Sequence, residues 1–574
     1  MSARHLVFAL LALFGAAPAA AELSIEAPGA PAEVVDNVRA HLRLAKEPCD
    51  APPWRIRREF RRLERDIQPA LRAFGYYDAQ VETALTSEEP CWHVQLTLAL
   101  GEPVLVRELQ LELSGEALGD PEFEALRAAL PLTVGSQLHH GKYEEIKTRL
   151  RNLALERGYF DAKLTRHELL VDPGKRAATI RIGFDSGQRY RFGAVQLSEQ
   201  PLDEDFVRRL GGLQPGSLYE GRALVELDRN LSDAGYFKRV EVRPQRDRIE
   251  DQAVPIDVTL EPLPRHAWRA GIGYATDTGP RLSLGYANRL INRKGHQFDS
   301  ELRLSPVESG ITADYLIPSS DPKRRFFNIN AALIHEVTDS TTSDRVSLAG
   351  LQTLVHDDWT EVRFIELLHE RSEIGSDTTE STLLMPGFAF KRTQADDLLR
   401  TRRGYRVNLE ARGAYEGLLS STSLLQFMGS AKGVYRFGDA GRVTGRTNLG
   451  VTLGGEFFDL PASLRFFAGG DNSVRGYAYK SLSPLDENGD AIGGRHLITA
   501  SLEYEHPVAG EDWWGGAFVD AGNAFDTDDF DLKYGYGVGV RWYSPVGRVR
   551  LDLAFPSDSS DDSWRLHFSV GADL

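Results

Sequence analysis

Residues 404–415 read GYRVNLEARGAY, and their side chains fall into two sets of opposite character. Tyr405, Val407, Leu409 and Ala411 share one parity; Arg406, Asn408, Glu410 and Arg412 share the other. Successive side chains of a strand point to opposite faces, so a period of two predicts a strand greasy on one side and charged on the other. The pattern recurs at Phe327, Ile329, Ala331 and Leu333, which oppose Asn328 and Asn330. It recurs again at Val549, Leu551, Leu553 and Phe555, which oppose Arg550 and Asp552. Strands of a soluble sandwich run to about 5 or 6 residues. These run to about ten, the length a tilted strand needs to cross a bilayer with its apolar face outward. About sixteen such segments fit between Trp268 and the C-terminus, and an even number brings both ends of a barrel to one side. Mean hydropathy is −0.32. After the first residues there is no run of about 18 apolar residues, so any crossing is expected by strands.

Upstream of about Pro264 the texture changes. Three helices are predicted to end alike, at AFGYYDAQV (Gly75), ERGYFDAKL (Gly158) and DAGYFKRV (Gly235), with spacings of 83 and 77 residues. Domain-sized spacing means a repeated module. In each, a glycine able to take the left-handed conformation stops a helix, and aromatic residues open a strand. Helical spacing links Ile56, Phe60, Leu63, Ile67 and Leu71, then Ile146, Leu150 and Leu153, then Leu224, Leu227 and Leu231. Pro69 predicts a kink in the first set. The alternating runs WHVQLTLAL, ATIRIGF and PIDVTLEPL close the units. Each unit therefore reads as strand, two helices and two strands, with a sheet edge able to accept an extended peptide. Arg57, Arg58, Arg61 and Arg62 form a solvated helix face or a docking patch.

At the N-terminus, Arg4 and His5, the apolar stretch 6–14 and Ala19-Ala20-Ala21 read as a secretory signal cleaved before Glu22. The two cysteines, Cys49 and Cys91, lie close enough for a disulfide in one small exported domain, with two free buried thiols as the other reading. A formal net charge of −16 argues against nucleic-acid binding, which needs Lys and Arg to neutralise phosphates. There is no G-x-S-x-G elbow, H-E-x-x-H helix or phosphate-binding G-x-x-x-x-G-K, so no catalytic residue and no cofactor is assigned. No metal site is assigned either. DENGD at 486–490 lacks the glycine and glutamate of a calcium loop and reads as an acidic turn, and His139-His140 reads as a polar turn.

A long interruption at about 455–495, the sixth outer loop by strand count, contains LRFFAGGDNSVRGYAYKSLSP. A long glycine-rich loop needs an internal anchor if it is to be ordered. In LITASLEYE the alternation turns Ile498, Ala500, Leu502 and Tyr504 outward and Glu503 inward. In WWGGAFVDAG it turns Trp513, Ala517 and Val519 outward and Asp520 inward. A guanidinium can bridge two such carboxylates by charge-assisted bonds.

With Val474-Arg475-Gly476-Tyr477 in the loop and the strands SLEYEHP and GGAFVDAGNAF, the chain resembles the TamA branch of the BamA/TamA superfamily of outer-membrane assembly proteins. That resemblance implies a signal peptide (1–21), three α+β POTRA domains in the periplasm (22–102, 103–187 and 188–263) and an all-β sixteen-stranded transmembrane barrel (264–574). It implies that Arg475 folds into the lumen to meet Glu503 and Asp520. It also implies a seam between first and last strands that parts to template clients. Here that seam would be the strand through Trp268, loosened by Gly271 and Gly273, and the strand ending near Gly571. Ion pairs lining a lumen are ordinary, so a purely structural role for the cluster stays open. Implied partners are unfolded outer-membrane protein clients, among them autotransporters, a TamB-like inner-membrane protein reaching the POTRA arm, and outer-membrane lipids. Rival readings are a general BamA-like insertase, which would usually carry five modules, a two-partner secretion transporter, which would usually carry two, a passive channel, and phospholipid transport. The C-terminal strand departs from the family pattern in ending on Leu574 rather than an aromatic residue.

Overall fold

The computed structural model describes residues 22–48, 51–88, 91–398, 400–438, 441–526, 530–544, 547–558 and 563–571. The expected signal segment, Cys49 and Leu574 lie outside the described residues, and with Cys49 goes its pairing to Cys91.

Three small three-stranded sheets precede one sheet of sixteen strands. Each small sheet places its last strand in the centre, parallel to the module's first strand and antiparallel to the one before it in the two modules whose registers are resolved. In the first module Val34, Val38, Ile56, Ile67 and Leu71 pack on Val94, Leu96 and Leu98. In the second, Phe123, Ile146 and Leu150 pack on Ile180, Ile182 and Phe184. Each fully buried side chain of this kind stabilises by about 1.5–3 kcal/mol, so the apolar stripe of each helix decides its docking.

The stretch expected to kink at Pro69 is interrupted upstream, at Arg61 and Arg62, giving the helices Pro53–Phe60 and Leu63–Arg72, and Pro69 lies inside the second. A proline removes a single donor, orphaning one carbonyl. The upstream break lets Leu63, Ile67, Ala70 and Leu71 all stay buried. His139-His140 is likewise not a polar turn. His139 caps the helix His140–Arg157, its Nδ1 accepting the Lys142 N–H at 3.3 Å, and His140 meets the Tyr77 hydroxyl at 2.9 Å.

Gly75, Gly158 and Gly235 adopt φ of +84°, +81° and +76°, the left-handed region that glycine occupies without strain. The first two of these turns also accept a bond from the start of the next module. The Val104 N–H donates to Gly75 O and the Tyr190 N–H to Gly158 O, both at 2.9 Å. In the compact unit that holds the barrel, the Tyr236 hydroxyl donates to Gly295 O at 2.5 Å.

The sixteen strands run in chain order from His266–Ala275 to Arg565–Gly571, every neighbouring pair antiparallel. The expected facing is present: Leu502 and Val519 are 56% and 46% exposed while Glu503 and Asp520 are 4% and 0%. Some strands are longer than a bilayer requires, reaching 15 residues in Thr360–Ile374 and 19 in Asp377–Ala395. Their ladder already satisfies the backbone, so the hairpin can continue beyond the hydrocarbon. Its far end receives the long loop, through Thr379 to Phe458 O and Ser381 to Asp459 O, each at 3.0 Å.

Candidate functional site

The interruption between the strands Arg442–Leu453 and His496–Ala509 folds back on itself. Isolated bridges pair Phe466 with Gly494, Ala468 with Leu482 and Leu485 with Ala491. Arg465, which sequence reading missed, ties the base of this loop by donating to Leu460 O at 2.9 Å and Ile492 O at 3.1 Å. The 486–490 segment is an acidic turn in which Asp486 accepts the Asn488 and Asp490 N–H groups. Val474 is fully buried with Ala468 and Leu482, which fixes the approach of the next residue.

Arg475 is completely buried. Its Nε and Nη2 donate to the two oxygens of Asp520 at 2.7 and 2.9 Å, and its backbone N–H adds a third bond at 3.0 Å. Nη1 donates to Glu503 at 2.9 Å and to Asp552 at 2.8 Å. Its guanidinium carbon sits 3.4 Å from the Phe518 ring centroid, a flat stacking contact that arginine makes and lysine does not. The three residues paired from sequence are thus brought together, and Asp552 joins them.

A second layer of charge surrounds this one and was not legible in the sequence. Arg541 donates to Glu503 at 3.0 Å and pairs with Asp552, Arg548 pairs with Glu503 and Glu505, and Arg442 lies 3.0 Å from Glu505. With Arg550 3.6 Å from Asp552, five arginines face four carboxylates in one network. Buried charge is tolerated only when it is paired in this way. Gly476, at φ +98°, runs so close to the strand Gly547–Pro556 that a Cβ would meet the Pro556 nitrogen at 2.9 Å. Tyr477 reaches the Ser557 hydroxyl at 3.4 Å.

Trp268, Gly271 and Gly273 lie on the first barrel strand and Gly571 ends the last, where it pairs with Arg548. Among the described residues no backbone ladder joins these two strands. Ile272, at 91% exposure, projects from the unpaired edge. Links across the seam include the Phe568 N–H donating to Thr276 Oγ1 at 3.0 Å, the Tyr274 and Phe568 rings 6.3 Å apart, and His567 Nδ1 4.0 Å from Asp277.

Residues 269–574 match the Omp85 superfamily domain. The chain belongs to the Omp85 superfamily. Residues 23–100 match the first POTRA domain of TamA. This Omp85 protein is an outer-membrane β-barrel with N-terminal POTRA domains. It is similar to the outer membrane protein assembly factor BamA of Nitratidesulfovibrio vulgaris, 24% identical over 396 residues that cover 65% of this chain and 50% of that one. The chain thus spans about half the length of that relative. BamA of Neisseria meningitidis is 21% identical over 598 residues, covering 77% and 74% of the two chains. The crystal structure of Haemophilus ducreyi BamA lacking POTRA domains 1–3 superposes with a TM-score of 0.68 at 16% identity, covering 82% of this chain and 99% of that one. That likeness is one of fold.

Proposed function

We propose that this Omp85 protein is a TamA-like assembly and translocation factor, which helps outer-membrane proteins, autotransporters among them, to insert or to be secreted. The observation that carries the reading is the unladdered seam standing beside a loop whose anchoring charges are fully paired. A sheet edge with free N–H and C=O groups is a template for another strand. The glycines at 271 and 273 weaken that edge further. The role is that of a template rather than an enzyme. The match of residues 23–100 to a TamA-type POTRA domain favours the TamA branch, and with it a TamB-like inner-membrane partner reaching the periplasmic modules.

The seam reading is tested by locking it. In a Cys49→Ser/Cys91→Ser background, Tyr274→Cys/Phe568→Cys would be oxidised and the full chain reconstituted in liposomes. Folding of an autotransporter barrel should fall at least tenfold and recover on reduction; undiminished folding with the lock closed rejects the idea. Co-purification from native membranes tests the partner separately.

A further inference from the structure

Three cations stand opposite one another on the inner wall of the barrel. Arg406 pairs in register with Lys432, and Lys432 with Arg446, on the successive strands Arg403–Ala414, Leu424–Arg436 and Arg442–Leu453. Side chains opposed in this way come within about 4.5–5.5 Å at Cβ, and like charges so placed destabilise a sheet. The next position in the row brings no carboxylate, because Arg446 faces Ser501. Asp520, one strand further on, is taken up by Arg475.

Two of these arginines have uncharged hydrogen-bond partners. Arg406 Nε donates to Thr393 Oγ1 at 3.4 Å. Among the described residues Arg446 makes one hydrogen bond, to Ser473 O at 3.2 Å, and no ion pair. From the strand Gly547–Pro556, Arg550 donates to Ser569 Oγ at 3.0 Å and to Asp471 O at 3.1 Å. It stands 3.6 Å from Asp552, an acid that already pairs with Arg475 and Arg541. Between these groups is a cavity of about 220 Å³, lined by Lys432, Thr444, Arg446, Ser501, Arg550 and Ser569. Glu503 also reaches it, but that carboxylate is matched by Arg475, Arg541 and Arg548. The surplus charge around the cavity is therefore positive. Thr444 is only 7% exposed, and its hydroxyl is buried with no hydrogen-bond partner among the described residues. A buried hydroxyl left unpaired is costly, so it calls for an occupant that can bond it.

We propose that this cavity binds one phosphate-class oxyanion, either free phosphate or the headgroup phosphate of a phospholipid. Guanidinium and ammonium groups make short, charge-assisted bonds to phosphate oxygens, and the Thr444 hydroxyl donates one more. The lining side chains come from five different strands, and a tetrahedral anion presents oxygens to several walls at once, as a planar carboxylate cannot. The bound charge relieves the repulsion along the row Arg406, Lys432 and Arg446. The cavity admits a phosphate with some water but no acyl chains, so a lipid would keep its chains outside the last strand, which borders the cavity at Ser569. That lipid route rests on the parting seam of the proposed function; the ion site itself does not.

The test uses the full chain, folded in detergent in phosphate-free, low-salt buffer and titrated by calorimetry. One arm adds inorganic phosphate; the other adds glycerophosphoglycerol, the soluble headgroup of phosphatidylglycerol. Saturable binding of one ion per chain is expected, at least fivefold weaker in Lys432→Gln and in Arg446→Gln. Arg363→Gln, an exposed arginine elsewhere in the barrel, should bind as the native chain does. Tighter binding of inorganic phosphate assigns the site to the free ion, and tighter binding of the headgroup assigns it to lipid. If neither cavity variant folds, anomalous diffraction from selenate, a tetrahedral oxyanion, locates the ion in crystals of the native chain. No saturable binding in either arm, undiminished affinity in the cavity variants, or selenate found elsewhere overturns the proposal.

Discussion

Arg475 and Asp520 are joined by three hydrogen bonds, two from the guanidinium and one from the arginine's own backbone N–H. The carboxylate therefore holds the loop backbone as well as the charge. Arg475→Ala would leave Asp520, Glu503 and Asp552 facing one another, and breaking a buried pair in this way costs about 3–5 kcal/mol. Arg475→Lys keeps the charge but loses the bidentate geometry and the stacking on Phe518. Exchanging the charges of Arg475 and Asp520 would recover some function only if the anchor were made of that pairing alone. In the network it should not, because an aspartate at 475 would point at Glu503 and Asp552. Protease cleavage within 454–495 should rise in Arg475→Ala, Arg475→Lys and the double exchange alike; rescue by the exchange would show that the pair acts alone.

Gly158 and Gly235 hold the same left-handed conformation but differ in what surrounds them. A Cβ at Gly158 would lie 2.6 Å from the Tyr219 Cβ, whereas one at Gly235 meets nothing within 4 Å. Gly235→Ala should cost only the left-handed penalty, about 1–2 kcal/mol. Gly158→Ala should cost more and expose the Tyr190 amide, which bonds Gly158 O. Hydrogen exchange on the full chain would read both, and equal losses would exclude a docking role for Gly158.

The facing of Leu502 and Glu503 was legible from a period of two, because which side is wet follows from side-chain chemistry alone. The helix-ending glycines were legible for the same local reason. Which inward acids reach Arg475 was not. Asp552 lies on the inward face by alternation, but its meeting with Arg475 depends on how the strands stagger around the barrel. Arg541, Arg548 and Glu505 escaped for that reason, although all three also sit in alternating runs. The break at Arg61–Arg62 was hidden because Pro69 is the stronger local signal.

Asp120 supplies a pH dependence confined to the second module. Burial alone would raise its carboxyl, but bonds from Arg157, the Glu122 N–H and Tyr159 hold it below the ordinary range. A depressed folded value adds stability that is present above the unfolded value of about 3.9 and is lost as pH falls through the folded one. Hydrogen exchange in the helix His140–Arg157 should therefore accelerate only in that acid window. Asp120→Asn should flatten the window and cost about 1.5–3 kcal/mol at neutral pH, as expected for lost bonds to a charged group. An unchanged acid profile in the variant would assign the loss to another carboxylate.

Leu502 and Ser501 are neighbours on one strand with opposite surroundings. Leu502 is 56% exposed on the outer face, while the Ser501 hydroxyl accepts from Arg475 Nη2 at 3.3 Å. On a lipid-facing position near mid-membrane an arginine costs about 2–4 kcal/mol, falling towards zero at the interfaces. Leu502→Arg should therefore lower the yield of heat-modifiable folded barrel in bilayers, yet leave the Arg475 cluster intact. Ser501→Ala should do the reverse, sparing membrane folding while loosening the loop by the worth of one charge-assisted bond, about 1.5–3 kcal/mol at most. If Leu502→Arg folds into bilayers as readily as the native chain, that face does not meet lipid at depth, and the strand's two sides would need reassigning.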